Sequence, residues 1–224
     1  LATQTMAEHR MYLPLAAVIT FVVLWAERNF GKRALVGALV MAVAFGALTI
    51  HRNEDYQSPL TLWRQTAAAR PGNARTHQLY ALALLDAGQL QESADESRQA
   101  LALKPDYAEA ANNLGMVLAK TNQPDAAVPY FAQAAAGLRF PREQALAYFN
   151  LGNALGSLGR FDDALAAYTQ STKLNPDYAP AHNLRGYVLS KQGKYADAIA
   201  EYQQALKLQP DYPQCAANLA DAQA

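Results

Sequence analysis

Two sets of polar residues in this chain are spaced so that they could do chemistry. The first is a series of asparagines, Asn112, Asn113, Asn150, Asn153, Asn183 and Asn218, with Tyr187 among them. A primary amide offers both donor and acceptor, so a ladder of amides can pair with an extended peptide backbone without reading its side chains. Leu79 and Leu184 interrupt the ladder. The second set is Glu8, His9 and Arg10, which lead directly into an uncharged stretch. At a bilayer surface such charges meet an anionic headgroup, form an ion pair, or serve as plain flanking charge. Asp162-Asp163 has the look of a carboxylate pair, but it falls at an expected helix start, where the helix dipole favours acids. Glycine-rich phosphate loops, G-x-S-x-G, H-E-x-x-H and paired-cysteine motifs are all missing from the sequence. His77 and His182 have no second ligand three or four residues away, and Cys215 has no cysteine to pair with. The expectation is a chain with no catalytic residue, no metal site and no cofactor of its own.

The elements that must position these residues repeat. With Ala74, Ala108, Ala145 and Ala179 taken as position 1, the spacing is 34, 37 and 34 residues. Position 8 holds Ala81, Gly115, Gly152 and Gly186, and position 20 holds Ser93, Ala127, Ala164 and Ala198. Position 24 holds Ser97, Phe131, Tyr168 and Tyr202, and Pro105, Pro176 and Pro210 stand at position 32. Small residues recurring at fixed places mark where two helices touch, and proline ends a helix because it neither donates nor tolerates a helical residue before it. The pattern resembles the tetratricopeptide repeat (TPR) and implies an all-α solenoid of helix pairs with a concave ligand face on each first helix. In that family asparagine before Leu-Gly is common, which gives the ladder a second, compositional reading.

Four repeats are expected at 74–107, 108–144, 145–178 and 179–212, with Leu114, Leu118, Leu151, Leu155, Leu189, Tyr168 and Tyr202 buried between them. Residues 53–73 read as a linker and capping helix with Trp63 as its apolar plug. Residues 213–224 read as a partial fifth repeat or capping helix. The 37-residue spacing, with Gly137 and Arg139 where Leu and Pro are usual, implies a local change of superhelix angle.

Ahead of the array, Met11–Ala26 and Ala34–Ile50 carry no charge, and residues 27–33 between them are basic. They read as two transmembrane helices, 11–26 and 34–50, with a cytoplasmic loop at 27–33 and lipid bilayer as their surroundings; a buried soluble hairpin is the other reading, because each run is shorter than the roughly 20 residues that span a bilayer. Residues 1–10 and the array then face the extracytoplasmic side. In a bacterium that means a multi-pass inner-membrane protein with a periplasmic array. The 19 basic and 19 acidic residues of the chain balance, and from Asn53 onward there are 14 basic and 17 acidic, so nucleic acid is not an expected partner.

The order Glu8-His9-Arg10-x-Tyr12-Leu13-Pro14, two hydrophobic runs, Arg52-Asn53, Leu62-Trp63 and then the repeats is similar to the C-terminal portion of GT-C-type glycosyltransferases. It most resembles bacterial relatives of the transmembrane and TPR-containing protein O-mannosyltransferases. The resemblance implies transfer of a sugar from a polyprenyl phosphate donor to a protein on the extracytoplasmic side. On it, Glu8, His9 and Arg10 form a donor-phosphate region, with Arg10 holding phosphate through charge-assisted hydrogen bonds and Glu8 orienting it. The family's catalytic acids, in an early loop of a many-helix membrane body, have no counterpart here, so the 224 residues are expected to be the C-terminal part of a longer protein. The alternative is a membrane-anchored TPR scaffold or complex subunit without sugar chemistry.

Overall fold

The computed structural model describes residues 58–223 throughout, and in the front of the chain residues 21, 25, 28, 37 and 40–46. The chain divides into two compact units, Leu1–Ser58 and Pro59–Ala224. In the first, the described residues ahead of Ser58 are helical, including Arg28, which was expected in a loop. Among the described residues no helix is long and apolar enough to cross a membrane. Most of the expected pair at 11–26 and 34–50 lies outside the described residues, as do Glu8, His9 and Arg10.

The second unit is built of α-helices: α1 (Pro59–Ala69), α2 (Ala74–Asp86), α3 (Leu90–Leu103), α4 (Ala108–Lys120), α5 (Pro124–Gly137), α6 (Pro141–Ser157), α7 (Phe161–Leu174), α8 (Ala179–Lys191), α9 (Tyr195–Leu208) and α10 (Pro213–Gln223). Helices α2 to α9 form four pairs, each packed on the next. α1 closes one end through Trp63 and Leu60, which lie against Ala67, Tyr80 and Leu84. α10 closes the other, with Cys215 fully buried against the α9 residues Ala198 and Tyr202.

Within a pair, the turn between helices reverses the chain in the same way each time. Gly88, Gly159 and Gly193 have φ of +75°, +73° and +74°, and the second pair uses Asn122 at φ 60°. The next residue's N–H then reaches back five residues, as Gln89 does to Leu84, Gln123 to Leu118, Arg160 to Leu155 and Lys194 to Leu189. A left-handed residue is needed to close that loop, and asparagine is the side chain that tolerates it best after glycine.

The interior of each pair is a ring seated on a glycine. A Cβ added at Gly115 would lie 2.8 Å from the Phe131 ring, at Gly152 2.6 Å from Tyr168, and at Gly186 2.8 Å from Tyr202. The first pair inverts the sizes, with Ala81 at the glycine position and Ser97 at the ring position, both buried. Of the residues expected between neighbours, Leu114, Leu118, Leu155, Leu189, Tyr168 and Tyr202 are buried, whereas Leu151 is half-buried.

The irregular spacing is absorbed as helix, not loop. α6 is 17 residues long where α2, α4 and α8 are 13, so the insertion forms an extra turn ahead of Ala145 with Pro141 in its first turn. Gly137 lets α5 close on α4, since a Cβ there would meet the Ala108 Cβ at 2.9 Å. α6 packs less closely on α4 than α4 does on α2, and α8 packs less closely still on α6.

Candidate functional site

Where the first helices of successive pairs part, they leave a groove. One hollow of about 320 Å³ is lined by Met116, Lys120, Asn150, Asn153 and Ser157 among others. A second, of about 390 Å³, is lined by Asn153, Ser157, Phe161, Leu184 and Tyr187 among others. Asn153 and Ser157 belong to both, so the two hollows adjoin on either side of these α6 residues. The floor is apolar (Met116, Phe161, Leu184), the walls carry amides and hydroxyls, and Lys120 is the one charged residue lining either hollow. Small polar groups over an apolar floor suit an uncharged, extended polypeptide.

Asn153 is held in place. The Tyr168 hydroxyl donates to its Oδ1 at 2.7 Å, which leaves the amide NH2 to donate elsewhere. Burial pushes the Tyr168 phenol well above its ordinary range, so it stays a neutral donor. The ring that fills the Gly152 slot therefore also orients a groove amide. Tyr187 stands exposed at the far end, with the Lys191 ammonium 5.2 Å above its ring.

The other expected ladder members are placed differently. Asn113 and Asn183 are corrected from ligand face to core, being 3% and 2% exposed. Asn113 Nδ2 donates to the Gln78 carbonyl of the preceding pair at 3.1 Å. Asn183 Oδ1 accepts from Asn218 Nδ2 at 3.0 Å, and Asn183 Nδ2 donates to the Tyr212 hydroxyl at 3.3 Å. These amides stitch one first helix to the next, because a buried polar group without a partner costs about 1–3 kcal/mol. Asn218 is half-buried in that stitch. Asn112 is half-buried beside the Met116 sulfur, with its Oδ1 buried and unpartnered. Only Asn150, Asn153 and Tyr187 are brought together in the groove. Lys120 and Ser157 share repeat position 13, in the last turn of the first helix, one of the positions at which a first helix of this repeat is expected to face a ligand.

The remaining chemistry-bearing residues are structural. His77 and His182 occupy the same place in the first and fourth pairs, both buried. Nδ1 faces Glu96 Oε2 at 2.6 Å in one and Glu201 Oε2 at 2.8 Å in the other. Nε2 lies 2.9 Å from the carbonyl of Pro71 and of Pro176, respectively. At His182 both neighbours of the ring only accept, so the geometry suits an imidazolium that donates twice. The Glu201 hydrogen bond raises His182 above its ordinary value against the opposing effect of burial. Among the described residues there is no group of three or more His, Cys, Asp or Glu placed to hold a metal. The buried Cys215 thiol donates to the Tyr202 carbonyl, and burial pushes its pKa up, which keeps it unreactive. Asp162 and Asp163 are exposed and bonded to Gln192 and Arg160.

Comparison with known proteins agrees with this architecture. Residues 106–177 and 149–213 match the tetratricopeptide repeat family. Human protein O-mannosyl-transferase TMTC1 is 32% identical over 122 residues, covering 51% of this chain and 14% of that protein. The mouse protein of the same name is 35% identical over 81 residues, covering 36% of this chain and 9% of that protein. The matched chain thus spans about a seventh or less of these relatives. Among solved structures, a MamA double mutant superposes with a TM-score of 0.63 at 21% identity, covering 71% of this chain and 90% of that one. YrrB, described as a TPR protein with an unusual peptide-binding site, gives 0.62 at 22% identity, covering 78% and 88%. At these identities the structural likeness speaks for the fold alone. Repeat matches, ring-on-glycine packing and helix order together make the described array a protein-binding tetratricopeptide repeat domain.

Proposed function

We propose that the groove along α4, α6 and α8 holds an extended segment of an acceptor protein, and that the array is the extracytoplasmic arm of a membrane glycosyltransferase of the protein O-mannosyltransferase kind. The observation that carries the first part is the oriented Asn153 amide between two adjoining hollows whose lining is uncharged apart from Lys120. Backbone recognition by amides gives broad specificity, which suits an enzyme that modifies many sites. The second part rests on the TMTC1 similarity and on the Glu8-His9-Arg10 run ahead of two uncharged stretches. In this reading the donor is a polyprenyl-phosphate sugar whose phosphate meets Arg10, in a bacterial inner membrane with the array in the periplasm.

Peptide binding is tested with the Asn150→Ala/Asn153→Ala double variant, titrated against unstructured acceptor peptides by fluorescence anisotropy. A loss of about tenfold in affinity with unchanged thermal unfolding is expected for two amide contacts, and equal affinity refutes the groove. The glycosyltransferase part is tested by sugar transfer in membranes carrying the Arg10→Ala protein, where unchanged transfer and donor binding refute the phosphate role. A scaffold without sugar chemistry is the second reading. It rests on the repeat matches alone, and it predicts a stable co-purifying protein and unaltered glycosylation on deletion.

A further inference from the structure

One inter-repeat turn breaks the pattern of the others in both charge and apolarity. Three of them carry the same dipeptide, Pro105-Asp106, Pro176-Asp177 and Pro210-Asp211, with the aspartate exposed. Between α5 and α6 it is replaced by Arg139-Phe140-Pro141-Arg142. Leu138 turns inward and is buried, which leaves Phe140 65% exposed at the tip. Arg139 and Arg142 flank it, both exposed, and neither has a carboxylate within ion-pair distance among the described residues. The extra turn of α6 ties the tip down: Phe140 caps the helix and its carbonyl accepts from the Gln144 N–H at 3.0 Å. The aromatic ring is therefore presented on a defined turn.

We propose that this turn is a contact point for an anionic lipid bilayer, into whose interface Phe140 inserts while Arg139 and Arg142 meet acidic headgroups. A bare aromatic ring between two unpaired cations matches the chemistry of such an interface, where rings sit at headgroup depth and cations above it. A protein partner would need a pocket to receive one projecting ring, whereas a bilayer accommodates it anywhere. Both hollows of the array are lined from helices α4 to α8 and the α4–α5 turn, and neither includes these residues. One ring and two cations bind weakly alone, so the contact orients an array that is already close to a membrane and does not recruit it. The inference is independent of what the groove holds.

The experiment is tryptophan fluorescence of the full chain carrying Phe140→Trp, with the parent's Trp25 and Trp63 signal subtracted, added to vesicles of phosphatidylcholine with or without phosphatidylglycerol. The readout is local to residue 140, so binding elsewhere in the chain does not mask it. Expected are a blue shift and quenching by brominated lipid only when phosphatidylglycerol is present. Adding Arg139→Ala and Arg142→Ala should lower the insertion equilibrium about twenty-fivefold, given about fivefold per cation at an anionic surface. Emission that stays water-exposed, or that shifts equally on neutral vesicles, overturns the proposal. A shift produced by an acidic polypeptide and not by vesicles also overturns it, in favour of a protein partner. Circular dichroism of each variant checks that the helices remain, as expected for substitutions at exposed positions.

Discussion

Replacing Gly152 by alanine sets two effects of opposite sign against each other, and the structure says which prevails. In an exposed helix interior the change stabilises by about 0.5–1 kcal/mol through lost backbone freedom. Here the new Cβ would stand 2.6 Å from Tyr168 Cε1 and 2.7 Å from Cδ1, closer than such atoms approach. The ring cannot swing away, since it is 3% exposed and its hydroxyl is bonded to Asn153. Overpacking of this kind costs about 1–3 kcal/mol, so Gly152→Ala should destabilise by roughly 1–2 kcal/mol net. Tyr168→Ser alone empties the slot and should cost about 3–5 kcal/mol, as for loss of a buried aromatic. With the ring gone the clash is gone, and only the helical gain remains. Gly152→Ala should then stabilise the Tyr168→Ser protein by about 0.5–1 kcal/mol. The first pair already holds that combination as Ala81 and Ser97. Urea unfolding of the four proteins of this double-mutant cycle, followed by far-ultraviolet circular dichroism, reads the change of sign. If Gly152→Ala shifts the midpoint in the same direction in both backgrounds, the interlock argument is wrong.

Tyr168→Phe keeps the ring but removes the Asn153 contact; it should cost about 0.5–1.5 kcal/mol in stability and weaken peptide binding several-fold, measured by the same unfolding and by anisotropy. His182 has a raised folded pKa, so its contribution is fully present below the unfolded value of about 6.5 and is lost as pH rises through the folded pKa. Urea midpoints taken from pH 5 to 9 should therefore fall across that window more in the parent than in His182→Gln, and parallel curves would refute the double-donor geometry. Gly159→Ala, at φ +73°, should cost about 1–2 kcal/mol for left-handed strain alone, because nothing crowds its Cβ. Asn122→Gly at the equivalent turn should stay within a few tenths of a kcal/mol of the parent by thermal unfolding.

The helix pairs and the positions at which their helices touch were legible because each depends on residues at a fixed offset along one chain. Small residues at positions 8 and 20 and proline at position 32 act through local backbone geometry and through the partner helix of the same pair. The candidate site was legible only in part. Asn113, Asn150 and Asn218 occupy the same position of their repeats, yet one is buried in an amide-to-carbonyl stitch, one lines the groove and one is half-buried at the end of the array. Their difference comes from the neighbouring pair, which no local pattern encodes. Likewise the spacing of 37 announced an irregularity at Gly137 and Arg139, but whether it became loop or helix depended on the surroundings. Leu138 found a buried site, α6 gained a turn, and the gap beside α4 became part of the groove.

By itself, then, the sequence determined a solenoid of helix pairs, because its period writes the same short-range contacts over and over. Tertiary structure alone decided which amides line the groove, which side chains shape its two hollows, and that Arg139-Phe140-Pro141-Arg142 stands bare on a turn. Those outcomes depend on distances between pairs, where small differences in stacking add up, and a residue's position within its own repeat carries no record of them.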